Sequence, residues 1–255
     1  MLTTGRNRLS IQLVSAIDAI FTAFCSLIGR RPMIAQASRS RKDRPAFSNL
    51  LANADESTIG YSTFFKPWEG ENYSRTNIFG LRMLILCESV YIQKNNPDPE
   101  YATINLVKWV CTGTRKRWTN YFLKVYHLAI NDQNTSVTAF WDSVLFYEYI
   151  QAPLNNNRAR PTPEMWKKAI EPFRGLLVKH EPEAVLVIGK ELWSNLLQAK
   201  LLTESGDDDW AIEVPGAPTA VATFANHPSG MGLSDSKWQP IVSRLIERAR
   251  ATKKY

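Results

Sequence analysis

Two short segments bring residues capable of acid–base chemistry to the ends of apolar runs. Residues 84–91 read Leu-Ile-Leu-Cys-Glu-Ser-Val-Tyr, and residues 224–230 read Phe-Ala-Asn-His-Pro-Ser-Gly. The first run stops at Glu88 and Ser89, the second at Asn226, His227 and Ser229. A buried strand carries apolar residues into a sheet and presents polar ones at its carboxyl end, where open α/β sheets bind their ligands. A carboxylate there can stabilise positive charge and orient a water, while an imidazole can donate to developing negative charge. Glu88 and His227 are therefore candidates to share one pocket.

Such residues need strands that end at a common edge, and the rest of the sequence supplies them. Leu81–Cys87 is the first strong strand. Residues 100–128 form a largely helical stretch containing Arg115-Lys116-Arg117-Trp118, and Val137–Trp141 leads into a strand expected over Ser143–Gln151. A loop rich in Asn, Arg and Pro follows at 153–163. Thr162 before Pro163, with Glu164 in the first turn, is a good helix start, so a helix is expected from Pro163 to His180. Ala184–Ile188 is a strand ending at Gly189, a helix opens at Lys190, Val221–Ala225 is the last strand, and Trp238–Lys253 is a terminal helix. Strands alternating with helices predict an α/β fold with a mainly parallel sheet.

The order strand-Glu-Ser, a middle strand with a polar tip, a third strand ending in Gly and a last strand ending in His-Pro-Ser resembles the uracil-DNA glycosylase superfamily. The resemblance covers roughly residues 60–250 and is nearest to bacterial members with Gly-Glu-Ser and His-Pro-Ser-Gly motifs. It implies a three-layer sandwich around a central, mainly parallel four-stranded sheet. It also implies a DNA glycosylase that flips out a base and hydrolyses its N-glycosidic bond, leaving an abasic site. The partner would be DNA, double-stranded with one base flipped. A monomer in the bacterial cytoplasm, without cofactor, metal or membrane, is expected.

Carried over residue by residue, Glu88 matches the acidic position of the first motif and His227 the histidine of the last. Base excision passes through a transition state with positive charge on the sugar and negative charge on the departing base. Glu88 would act near C1′ and His227 at the base oxygen. Ser89, Tyr91, Phe146, Glu148 and Asn226 would form the base pocket, with an aromatic ring as stacking face. Alternation puts Phe146 and Glu148 on one side of their strand and Tyr147 and Tyr149 on the other. Arg115, Lys116, Arg117, Arg158 and Arg160 would meet phosphates, and the turn-prone loop of Ser229, Gly230, Met231 and Gly232 would press on the minor groove, with Met231 or Leu233 as a wedge in the gap left by the flipped base.

Two residues depart from the family pattern. Cys87 stands where Gly is usual. Glu148 stands where relatives often place an asparagine that reads uracil; an ionised glutamate only accepts hydrogen bonds and would favour an amino group such as cytosine N4. The resemblance extends to bacterial defence glycosylases that attack modified, including glucosylated, cytosines of phage DNA, and that target accommodates Glu148. Plain residue chemistry leaves other roles open: Glu88 as a helix cap or arginine partner, His227 bonded within a turn, Tyr91 in the core, Glu148 paired with a surface arginine, and the basic run as a solvated face.

Composition narrows the classes further. The chain has 255 residues and a formal charge of +7, which favours a polyanionic partner without requiring one. Cys25, Cys87 and Cys111 have neither the number nor the spacing of a disulfide framework, a zinc site or an iron–sulfur cluster. Residues 11–28 show helical amphipathicity, with apolar Leu13, Ile17, Ile20, Phe24 and Leu27, but Asp18 interrupts the stretch and argues against a membrane span. Its basic flanks leave open a packed helix, a leader, a signal peptide or an interfacial helix. Residues 37–48 read as a basic linker, so 1–50 is taken as an appendage and 51–255 as the glycosylase-like α/β domain. A serine hydrolase built on Ser89 lacks both Gly-x-Ser-x-Gly and an Asp-x-x-His partner, because position 224 is Phe. A nucleotide-binding Rossmann enzyme lacks its glycine fingerprint. A non-catalytic DNA-binding module is the stronger rival, since fold does not fix activity.

Overall fold

Apolar runs without a polar face belong in a sheet covered on both sides by helices. In the computed structural model four such runs form strands β2 (Met83–Cys87), β3 (Val144–Glu148), β4 (Ala184–Ile188) and β7 (Ala220–Ala225). The first three are buried at every residue. The structure describes residues 63–92, 96–113, 115–132, 134–154, 156, 159–206, 209–228 and 234–252, all within one compact unit, Asp55–Tyr255. The helix and linker expected over residues 1–50 lie outside the described residues.

These strands are mutually parallel in the order β3-β2-β4-β7. Three more strands correct the four-stranded expectation. Strand β1 (Trp68–Glu69) pairs antiparallel with β3, and a hairpin of β5 (Leu202–Glu204) and β6 (Trp210–Ile212) adds antiparallel to β7. The result is a mixed seven-stranded sheet in the order β1-β3-β2-β4-β7-β6-β5. The added strands are two or three residues long, and short strands at the margins of a sheet limit edge-to-edge association. Their brevity also hides them from periodicity.

Helices cover both faces. Alternation along β2 sends Met83, Ile85 and Cys87 to one side, where they meet α1 (Ala102–Cys111), α2 (Thr119–Ala129), α3 (Val137–Trp141) and α7 (Asp235–Thr252). Leu84 and Leu86 point to the other side, toward α5 (Ile170–His180) and α6 (Lys190–Gln198). The single helix expected over 163–180 is two, because a turn at Ala169 separates α4 (Pro163–Lys168) from α5. Thr162 does cap α4, accepting from Met165 N at 3.3 Å. Val137–Trp141 is itself helical, capped by the Ser136 hydroxyl, which accepts from Ala139 N. The strand after it is accordingly shorter than Ser143–Gln151.

Two close packings hold the frame. Gly70 lies against the Trp141–Asp142 backbone, where an added Cβ would come within 2.4 Å of Asp142 main-chain atoms. Phe146, in the middle of β3, is fully buried, with ring centroids 5.5 Å from Trp141 and 5.7 Å from Phe122. Phe146→Ala should therefore lower stability by about 3–5 kcal/mol, read from urea unfolding. A loss under 1 kcal/mol would show that the ring is not a core element.

Candidate active site

Parallel pairing sends the carboxyl ends of β2, β3, β4 and β7 to one edge. Cys87 pairs with Glu148, Leu86 with Val187, and Ile188 with Ala225. The polar residues that follow are thereby gathered: Glu88 after β2, Glu148 at the tip of β3, Gly189 after β4, Asn226 and His227 after β7. The chain leaves β2 for β3 on one side, then returns past β2 to β4 on the other. Such a reversal opens a crevice between the two strand ends, which is where open α/β sheets bind ligands. Glu88 and the start of α6 flank that crevice. Gly189, at φ +117°, makes the turn from β4 into α6 in a conformation other residues rarely adopt.

Arg160 bridges the crevice. One guanidinium nitrogen lies 3.9 Å from Glu88 and 3.6 Å from Glu191, in the first turn of α6. The arginine is 70% exposed and Glu88 only 15%, so the contact is loose at one end and dehydrated at the other. Burial raises the Glu88 pKa, and the Glu191 carboxylate adds to the rise while Arg160 opposes it. A carboxyl raised in this way is a better proton acceptor near neutrality than a surface glutamate.

Behind Glu88 lies a second carboxyl with different surroundings. Glu148 is 4% exposed, and its Oε2 is buried with no hydrogen-bond partner among the described residues. Burial, reinforced by Glu88, pushes its pKa up to about 8, so the group is mainly neutral at pH 7. A neutral glutamic acid donates as well as accepts, unlike the ionised side chain taken from the sequence. The main chain of Glu148 is held by the buried Gln151 amide, which donates to its carbonyl while the Gln151 carbonyl accepts from Phe65 N at 2.9 Å.

Helix α2 packs against the same edge from one face. The Cys87 thiol and the Tyr121 hydroxyl lie 2.7 Å apart, and burial raises both pKa values, so both keep their protons. Tyr121 also packs on His227, ring centroids 5.2 Å apart. One turn on, Lys124 Nζ donates to the Pro228 carbonyl at 2.8 Å, fixing the segment after β7 to the same helix. Partial dehydration and the Arg160 charge lower the His227 pKa; the residue is exposed by area, so the imidazole is neutral at pH 7 yet open to a ligand.

The other expected residues fall into three groups. Ser89 and Asn226 are half-buried at the edge, and Tyr91 is 45% exposed, with a bridge to Leu154, so it is not a core aromatic. Phe146 belongs to the core two residues below Glu148, so no face of it is available for stacking on a base. Arg115, Lys116 and Arg117 are exposed immediately before α2, the helix that carries Tyr121. Trp118 beside them packs on Trp109 and Phe122. Arg158, Ser229, Met231 and Leu233 lie outside the described residues.

Sequence reading missed Tyr121, Lys124, Glu191 and Gln151. The i,i+3 spacing of Tyr121 and Lys124 places them on one helix face, but nothing local says that this face meets the site. Among the described residues no group of three or more His, Cys, Asp or Glu gathers as a metal site, and no helix is long and apolar enough to cross a membrane. A cleft lined by Ile130, Asp132, Glu247 and Arg250 sits beside Phe79, which precedes β2, and so lies at the opposite edge of the sheet. No protein-family model matches the chain, and no curated protein matches it.

Glu148 makes stability depend on pH in a definite direction. Its folded pKa lies above its unfolded value, so the cost of burying its charge is absent below pH ~4.5, grows as pH rises, and is complete once pH has passed about 8. Across that window the folded state binds the extra proton, and stability should fall with a slope of at most ~1.4 kcal/mol per pH unit from this group. Glu148→Gln should flatten the slope in urea titrations run between pH 5 and 9. A slope identical to wild type would mean that Glu148 is ionised in the fold.

Proposed function

We propose that this domain is a DNA glycosylase with a uracil-DNA glycosylase-like fold, which extrudes one base and hydrolyses its N-glycosidic bond. The observation that carries the reading is the convergence of Glu88 and His227 on one crevice edge from β2 and β7, strands on opposite sides of β4. In the proposed reaction the bond between C1′ and the base nitrogen breaks, and its electron pair leaves with the base. Glu88, as carboxylate, stabilises the positive sugar and accepts a proton from the water whose oxygen adds at C1′. Neutral His227 donates a hydrogen bond to the oxygen of the departing base anion, which takes its proton from solvent. Arg160 supplies positive charge at that edge, and the exposed Arg115–Arg117 run, just before the helix that carries Tyr121, supplies more for phosphates.

The target in this reading is a modified cytosine of phage DNA, such as a glucosylated hydroxymethylcytosine, removed in bacterial defence. Uracil is a second reading, favoured by one observation. A buried, neutral Glu148 offers a donor and an acceptor together, as the asparagine of the resembling family does, and so suits a uracil edge as well.

Oligonucleotides bearing uracil, hydroxymethylcytosine or its glucosylated forms, assayed for alkali-labile abasic sites, separate these targets. Glu88→Gln should abolish excision, by at least ~100-fold in rate, while DNA affinity stays near wild type, because the carboxylate acts on the transition state. Unchanged turnover would remove Glu88 from the mechanism. Alanine at Arg115, Lys116 and Arg117 together should weaken binding to every sequence and flatten its salt dependence. An unaltered salt slope would place DNA on another face.

A further inference from the structure

We propose that Glu148 reads the extruded base as a neutral carboxylic acid, donating from one oxygen and accepting at the other, and that the target is a pyrimidine whose edge sets one acceptor beside one donor. The inference rests on the glycosylase reading and adds to it how the base is recognised and how recognition depends on pH.

The argument starts from an unsatisfied atom. Buried polar groups in folded proteins are almost always paired, and an exception calls for a cause. Glu148 Oε2 is such an exception, in a residue 4% exposed at the tip of β3, on the edge where Glu88 and His227 converge. A hydrogen-bonding ligand at that edge would satisfy it.

The charged and titratable groups around it decide its protonation. From the end of β2 it faces Cys87 and Glu88, from α2 Tyr121, and from the segment after β2 Tyr91. Glu88 is an anion when ionised, and Cys87, Tyr121 and Tyr91 all have raised pKa values. None of these is a cation that would favour a second carboxylate in a dehydrated place.

The neutral acid suits the reaction as well as the resting state. A carboxylate at the base would oppose the negative charge that develops there as the glycosidic bond breaks, whereas an O–H donor stabilises it. A carboxylic acid also carries the donor–acceptor pattern of an amide. Cytosine matches it with N3 as acceptor and N4–H as donor, and uracil with O4 as acceptor and N3–H as donor. Bulk at C5 leaves that edge unchanged, so recognition of this kind tolerates C5 modification.

The consequence has a sign. Excision should fall on the alkaline side as Glu148 loses its proton, and Glu148→Gln, a permanently neutral donor and acceptor, should lower the rate but lose that fall. Glu148→Ala, with neither group, should lose excision at every pH. Carboxyl 13C NMR of glutamate-labelled protein, with the signal assigned through Glu148→Gln, reads the protonation directly. We expect Glu148 to stay protonated through about pH 7 and the rate of the glutamine variant to stay level from about pH 7 to about pH 9, where that of wild type falls. A Glu148 signal already ionised at about pH 6 overturns the inference whatever the activity. Wild-type excision together with a glutamine variant inactive at every pH overturns the inference alone and leaves the glycosylase reading standing. No excision by wild type from any of the oligonucleotides at any pH overturns the glycosylase reading and base recognition with it.

Discussion

The parallel register of β2 with β3 on one side and β4 on the other is the constraint from which the rest of the site follows. Parallel strands end at the same edge, so residues 37 to 101 positions apart in sequence become neighbours without any local signal linking them. The reversal of strand order at β2 then keeps the Glu88 edge open, because the chain leaves on one side and returns on the other. Helices on both faces dehydrate the strand tips, and dehydration raises both Glu88 and Glu148. Burial and chemistry are therefore one effect at this edge.

The two carboxyls differ because their partners differ. Glu88 has a guanidinium within reach that offsets part of its dehydration, and it stands at the crevice mouth. Glu148 has none among the described residues and is more deeply buried. Two carboxyls pushed apart in this way can hold opposite protonation states near neutrality, the division of labour that acid–base sites require. The arrangement works against folding, since a buried carboxyl and an orphaned oxygen both destabilise. Departures of this kind from a consistent core concentrate at functional sites.

The buried strands and their polar ends were legible because fully buried parallel strands are continuous apolar runs with abrupt stops. Ala184–Ile188 with Gly189 and the helix from Lys190 appear with the expected bounds. Phe146 and Glu148 do share one side of β3, as alternation required, but the same alternation could not tell that Phe146 stops in the core. The β5–β6 hairpin was hidden because its strands are three residues each, too short for a period to register. Tyr121 and Lys124 were invisible because their role comes from tertiary placement of α2 across the β2 and β7 ends. The charge state of Glu148 was not legible for the same reason: it depends on burial, which a sequence does not show.

The most direct measurement is mass spectrometry of the products when the wild-type protein acts on modified and uracil-containing DNA in 18O-labelled water. Free base should be released intact, with the 18O label on C1′ of the abasic sugar and none on the base. DNA that binds but returns unaltered, or a label that appears on the base, would contradict hydrolysis of the glycosidic bond at this edge.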